Sequence, residues 1–461
     1  MAIGNVGAGR PAIGRVPPGP KLSFLNTITY RPGRNPLEFF SGLARTYGDL
    51  AYVRMGGENL FIASDPAVIR DVLVTQNQRF HKSRGLERTK RLLGEGLLTS
   101  EDDLHLKQRR LIQPAFHRDR IAAYAATMVA FADRVQSGWR DGDTLDVASE
   151  MSRLTLLIVG KTLLDADVDA QTREISEAMS QLMASFWTLM LPFGETLERL
   201  PIPYLRRGRR ARERLDQIIY GIIRERRASG GDRGDLLSML LLAQDEEATG
   251  GGSRGMTDRQ IRDEAMTIFL AGHETTANAL AWTWYLLSQS PDVERRMHDE
   301  IDQVLSGRLP AMADAERLPF TTRVITESMR LYPPAWLVGR RSVADYQIDG
   351  YEVPIRSLII MSQWIVHRDA RHYPDPERFD PDRWTPEFKA RLPQFAYFPF
   401  GGGPRRCIGE SFAWMELVLV LATLAQRWKF DLVPGHPVIP HAAITLRPRH
   451  GIAMIARSRA S

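Results

Sequence analysis

Only one cysteine, Cys407, occurs in 461 residues. That excludes an intramolecular disulfide framework and every zinc or iron–sulfur site built from several cysteines, and it predicts a reducing compartment. Long apolar runs are missing as well. The most lipophilic stretch, Leu417 to Ala425, is far short of the about 20 residues that span a bilayer, and the opening MAIGNVGAGRPAIGRVPPGP has no secretory apolar segment. A cytoplasmic protein with no membrane span is expected. Charge of one sign is scarce too, since 61 Lys and Arg against 55 Asp and Glu leave +6, which gives no support to nucleic-acid binding unless the excess is clustered. The one cluster, Arg206, Arg207, Arg209, Arg210, Arg212 and Arg214, has Glu213, Asp216 and Glu225 in or near it on a helix-like stretch, and it reads as a solvated face.

What is present is the material of a large core, with 43% hydrophobic and 25% charged residues. The patterning predicts a mainly α chain with a small β-sheet subdomain. Residues 1–20, rich in Gly and Pro, read as a loose arm, and residues 21–461 read as one domain. A Gly-rich turn stands at Gly250, Gly251 and Gly252. Strand signals appear near Leu60–Ala63 and on both sides of Asp349-Gly350, a pair that tolerates the positive φ of a tight hairpin. One helix is unusually long: Thr257-Asp258-Arg259-Gln260 fits a capping box, and Pro291 stops the pattern. From Asp258 to Ser290 it would extend roughly 50 Å. Apolar on most faces, it should be the central core helix, and the polar residues halfway along it call for an explanation.

The chemistry concentrates in Phe400-Gly401-Gly402-Gly403-Pro404-Arg405-Arg406-Cys407-Ile408-Gly409. Three glycines and a proline force a tight loop, and a helical pattern begins after Ile408. Cys407 then lies just ahead of a helix amino terminus, where free N–H groups, the helix dipole and two arginines favour a thiolate. A nucleophile or a metal ligand would suit that sulfur.

Phe400, Gly403, Arg405, Cys407 and Gly409 stand at the spacing F-x-x-G-x-R-x-C-x-G, which resembles the haem-binding loop of the cytochromes P450, the haem-thiolate monooxygenases. Ala271-Gly272-His273-Glu274-Thr275-Thr276 is similar to the family's oxygen-activation motif. Physically, Gly272 would let a ligand approach the backbone, and Thr275 would bond inward and open the helix locally. Glu327 and Arg330, at i and i+3, match the family's E-x-x-R, and Arg378 of Pro376-Glu377-Arg378-Phe379 would complete a buried Glu–Arg–Arg network holding the cysteine loop. His105 and Arg109 match its H-x-x-x-R. With Arg340 and Arg405 they are expected to hold the haem propionates.

The resemblance implies a P450 fold with haem b (iron protoporphyrin IX) between the long central helix and the cysteine-loop helix. Cys407 would ligate the iron, Phe400, Ala271 and Gly272 would line the haem, and Glu274 with Thr275 would relay protons during dioxygen activation. It implies hydroxylation of a hydrophobic small molecule such as a terpenoid, fatty acid or steroid-like compound. Residues from Arg84 to Leu98, Phe186 to Leu191, Phe269, Ala271, Ala335 to Val338 and Ile444 would line its pocket. The chain ends about fifty residues after the cysteine. Electrons from NAD(P)H are therefore expected through a separate ferredoxin and ferredoxin reductase, docked near Arg406, Lys107, Arg110 and Arg118.

Overall fold

The computed structural model describes residues 15–20, 35–55, 57–166, 174–179, 181–182, 202–242 and 255–459. The expected lining segment Phe186–Leu191 and the turn Gly250–Gly252 lie outside them. Residues 15–20, expected within a loose arm, are tied down: Tyr52 N donates to Pro18 O at 3.0 Å, Glu352 N donates to Arg15 O at 3.0 Å, and the Arg15 guanidinium lies over the Tyr351 ring.

The long helix spans Asp258–Ser288, and both halves of its capping box are formed by Thr257 and Gln260. It ends two residues earlier than expected because Pro291 opens the next helix and pushes Ser290, its N-cap, out of the helical region (φ −138, ψ 70). Twenty-two of its residues are buried, from Ile261 to Leu287, and it packs against the helices Val147–Leu164, Pro203–Ser229, Pro319–Leu331 and Glu410–Ala425. The arginine cluster falls on Pro203–Ser229, whose inward stripe is Leu205, Ala211, Leu215, Ile219 and Ile223. Most of its arginines face solvent, and Arg214 is paired with Glu174.

The sheet subdomain has five strands in the order Leu50–Met55, Glu58–Ala63, Leu358–Met361, Val338–Ser342 and Phe80–Lys82. Glu58–Ala63 and Leu358–Met361 pair in parallel, and both are largely apolar and buried, as strands covered on both faces must be. The Asp349-Gly350 hairpin forms between Tyr346–Ile348 and Tyr351–Val353, with φ of +49° and +75° at its two turn residues.

Candidate active site

The cysteine loop is built by its glycines. Gly401 and Gly403 have φ of +70° and +68°, and a Cβ on Gly403 would lie 1.9 Å from the Leu73 carbonyl oxygen. Gly402 is extended, yet a Cβ there would strike the Phe395 ring. The loop folds back so that Cys407 N donates to Phe400 O at 3.0 Å, and the helix Glu410–Ala425 starts at Gly409. The protein around the thiol is dense. Burial therefore pushes the thiol up, against the Gly409 N–H, Arg109 and Arg406, with Glu410 adding to the rise. The anionic sulfur expected for a ligand would come with a cation bound there, which deprotonates a thiol against such burial.

The loop hangs from a buried ion network whose third member differs from expectation. Arg330 forks onto Glu327 with two bonds of 2.8 Å, both side chains fully buried. Arg383 Nε, with Trp384 Nε1 beside it, supplies the remaining side-chain donors to Glu327, at 2.9 and 2.8 Å. Arg378 is exposed and offers only its backbone carbonyl, to Arg330 at 3.1 Å. The sequence carries the signal twice, as Pro376-Glu377-Arg378-Phe379 and, five residues on, Pro381-Asp382-Arg383-Trp384; the second copy turns inward. From there the hold reaches the cysteine. Arg330 donates to His367 O at 2.8 Å, Phe398 N donates to His367 Nε2 at 3.0 Å, and two residues later Phe400 O receives the Cys407 amide.

On the central helix, Ala271 is exposed although Ile268, Phe269, Leu270 and His273 around it are buried. Thr275 Oγ1 donates to Ala271 O at 2.7 Å, and the helix stays α-helical throughout Asp258–Ser288, so no local opening is seen. Gly272 serves packing, since a Cβ there would meet Val159 Cγ2 at 3.0 Å. The missing side chain thus admits close approach of the helix Val147–Leu164. Glu274 Oε1 accepts from Thr445 Oγ1 at 2.7 Å, and Asn278 Nδ2 donates to the same hydroxyl at 3.3 Å. Thr445 carried no motif signal, because it reaches Glu274 only through tertiary folding.

Four expected cation positions, joined by Lys82, converge on one place. Strand alternation sets them: Lys82 and Arg340 are cross-strand partners facing inward and buried. Their neighbours turn outward, His81 to Asp102 at 3.0 Å and Arg341 to Glu87 at 2.7 Å. Lys82 Nζ lies 3.3 Å from His105 Nδ1, Arg405 donates to Glu101 at 2.6 Å, and Arg109 reaches Arg406 O at 2.9 Å. Burial lowers Lys82 to about 7, with Glu101 opposing and Arg405 and Arg340 adding repulsion. Burial, then Lys82, Arg405 and Arg109, lower His105 to about 4, and burial with Arg405 lowers Arg340 to about 10. Like charges placed side by side destabilise a sheet, and buried donors without acceptors are costly. His105 Nε2 and Arg405 Nε are both buried without partners. A cradle of crowded cations with orphaned donors beside the cysteine loop fits a dianionic group such as the two propionates of haem. Phe400 packs on Trp414 with ring centroids 6.0 Å apart.

Comparisons with known proteins point the same way. The cytochrome P450 family profile matches residues 16–453. Cyclooctatin synthase of Streptomyces melanosporofaciens is 39% identical over 90% of this chain and 89% of its own length. Pentalenene oxygenase of Streptomyces avermitilis is 36% identical over 90% of this chain and 91% of its own. Among solved structures, the haem domain of cytochrome P450DA superposes with a TM-score of 0.87 at 28% identity, covering 97% of this chain and 98% of that one. A cyanobacterial P450 with retinoic acid bound gives 0.86 at 25% identity, covering 97% and 100%.

Proposed function

The chain belongs to the cytochrome P450 family of haem monooxygenases, and on that premise we propose that it oxygenates a hydrophobic terpenoid at haem b held by Cys407. Haem, when bound through a thiolate, supplies dioxygen activation and O–O cleavage. The cationic cradle carries this reading: His105, Arg109, Arg340 and Arg405, with Lys82 between them, would anchor the propionates and so fix the orientation of the ring. Phe400 would flank the sulfur. Ala271 and Thr275 would face the haem, and Thr275, whose hydroxyl is held on Ala271 O, would hold a proton donor at that face when the hydroxyl turns from the carbonyl. Glu274, one residue before Thr275 and held in place by the Thr445 hydroxyl, would supply the carboxylate of the relay.

The terpenoid class rests on the names of the relatives and on apolar residues around the site. Leu97, Leu98, Leu337, Val338 and Ile444 are half-buried, as pocket-lining residues are. An optical titration tests it. Terpenoid alcohols or hydrocarbons should shift the Soret band of the purified protein from low to high spin, while fatty acids and steroids should not; a shift with one of the latter alone would reassign the substrate. Electrons would come from NAD(P)H through an acidic ferredoxin and its reductase. Arg110, Arg118 and Arg406 are exposed near the cysteine loop and the Asp102–Ile112 helix, as such docking requires.

Replacing Thr275 with Ala should lower product formation about a hundredfold, the lower end of what one positioned proton-transfer group contributes. Electron consumption should continue and appear as hydrogen peroxide. Measuring NAD(P)H oxidised against product and peroxide formed checks this, and tight coupling in Thr275→Ala would contradict the relay.

A further inference from the structure

Three consecutive residues near the start of the central helix, Arg262, Asp263 and Glu264, are charged and buried, Glu264 with no exposed surface at all. Each grips a different backbone group of one loop. Arg262 Nη1 donates to Leu93 O at 3.1 Å, Glu95 N donates to Asp263 Oδ2 at 2.9 Å, and Leu97 N donates to Glu264 Oε2 at 2.9 Å. The loop lies directly on the helix because Gly94 and Gly96 have no side chains. A Cβ on Gly94 (φ +81°) would fall 2.1 Å from the Asp263 carboxyl, and one on Gly96 would fall 2.3 Å from Thr267 Oγ1.

From the other side the same loop is held by Lys82 and Gln108. Lys82 Nζ donates to Leu97 O at 2.8 Å and to Ser100 O at 2.5 Å, and Gln108 Nε2 donates to Glu95 O at 2.6 Å. Leu97 thus has its N–H on the central helix and its C=O on the cradle lysine.

Arg262 is balanced by Asp216 and Asp263. Glu264 has no such partner. Its Oε1 is buried without a hydrogen bond, and burial pushes the carboxyl up to about 8, the Leu97 N–H opposing, Asp263 adding to the rise and Lys82 opposing. Since a buried polar group left half satisfied costs stability, a chain indifferent to the loop would do better with an apolar residue there.

We infer that Glu264 is a positioning residue for substrate selection: by holding the Leu97 N–H it fixes residues 94–100 against the central helix and so sets the shape of the pocket wall formed by Leu97 and Leu98. This deepens the function proposed above and rests on it.

The holoenzyme variants Glu264→Leu and Glu264→Gln test the inference. Gln keeps an oxygen for the Leu97 N–H; Leu has none, and its apolar side chain suits a buried position. In Glu264→Leu, amide hydrogen exchange in residues 95–99 should rise about tenfold, the equivalent of one lost hydrogen bond, with the rest of the central helix unchanged. The affinity of the bulky haem ligand 4-phenylimidazole should shift several-fold, while that of imidazole, too small to need the wall, should not. Glu264→Gln should match the parent on both readouts. Unchanged exchange in Glu264→Leu, equal shifts for both imidazoles, or a Gln variant that behaves as Leu would each overturn the inference. Failure of the monooxygenase reading is separable from these outcomes, because it would show in the parent protein as the absence of the thiolate-type carbon monoxide band.

Discussion

Cys407→Ser should leave a folded protein that has lost its oxygenase activity. The substitution changes one atom, and the contacts that shape the loop are not made by the sulfur: the bond to Phe400 O comes from the backbone amide, and the turn is set by Gly401 and Gly403. Stability in urea or on heating should therefore move by less than about 1 kcal/mol. Product formation should fall by more than the about 10–100-fold that partners outside the ligand shell carry, because the electron donation that favours O–O cleavage comes from the thiolate itself. The reduced, carbon monoxide-bound spectrum should lose its thiolate-type band even where haem remains in the cationic cradle. Oxygenation that survived in Cys407→Ser would overturn the assignment of the ligand.

The loop was legible in the sequence because its constraints are local. Glycine spacing, one cysteine and the onset of a helical pattern all lie within ten residues, and the structure adds only the neighbours that make Gly402 and Gly403 obligatory, Phe395 and Leu73. The long helix and the Asp349-Gly350 hairpin were legible for the same reason, through capping and turn chemistry.

Residues whose roles depend on distant segments were not legible. Lys82 joins the cradle only because its short edge strand pairs with Val338–Ser342 and puts it opposite Arg340. Thr445 meets Glu274 across 171 positions of sequence. Gly272 looked like a place for a ligand, but only the packed structure shows Val159 beside it.

The same limit explains Arg378, and it leads to the other large effect expected. Two Pro-acid-Arg-aromatic segments follow one another, and nothing local says which turns inward. The structure chooses Arg383, whose side chain is 6% exposed and bonded to Glu327, itself fully buried. Arg383→Ala would leave Glu327 with Arg330, the Trp384 indole and the Asp380 amide but with one guanidinium fewer around a carboxylate that no water reaches. Breaking a buried pair costs about 3–5 kcal/mol, a large fraction of the stability of a typical domain. Arg378→Ala keeps the backbone carbonyl that Arg330 uses, so its cost should stay within about 0.5 kcal/mol. The difference should reach the cysteine, since Arg330 holds His367, His367 holds Phe398, and Phe398 leads directly into the loop. Arg383→Ala is therefore expected to purify with little haem and to show a weakened thiolate-type carbon monoxide band, and Arg378→Ala to match the parent in both. Haem content per chain and the urea midpoint, measured side by side, decide between them. The reverse ranking would mean that the cysteine loop is held by the first segment and that the inward turn of Arg383 carries no load.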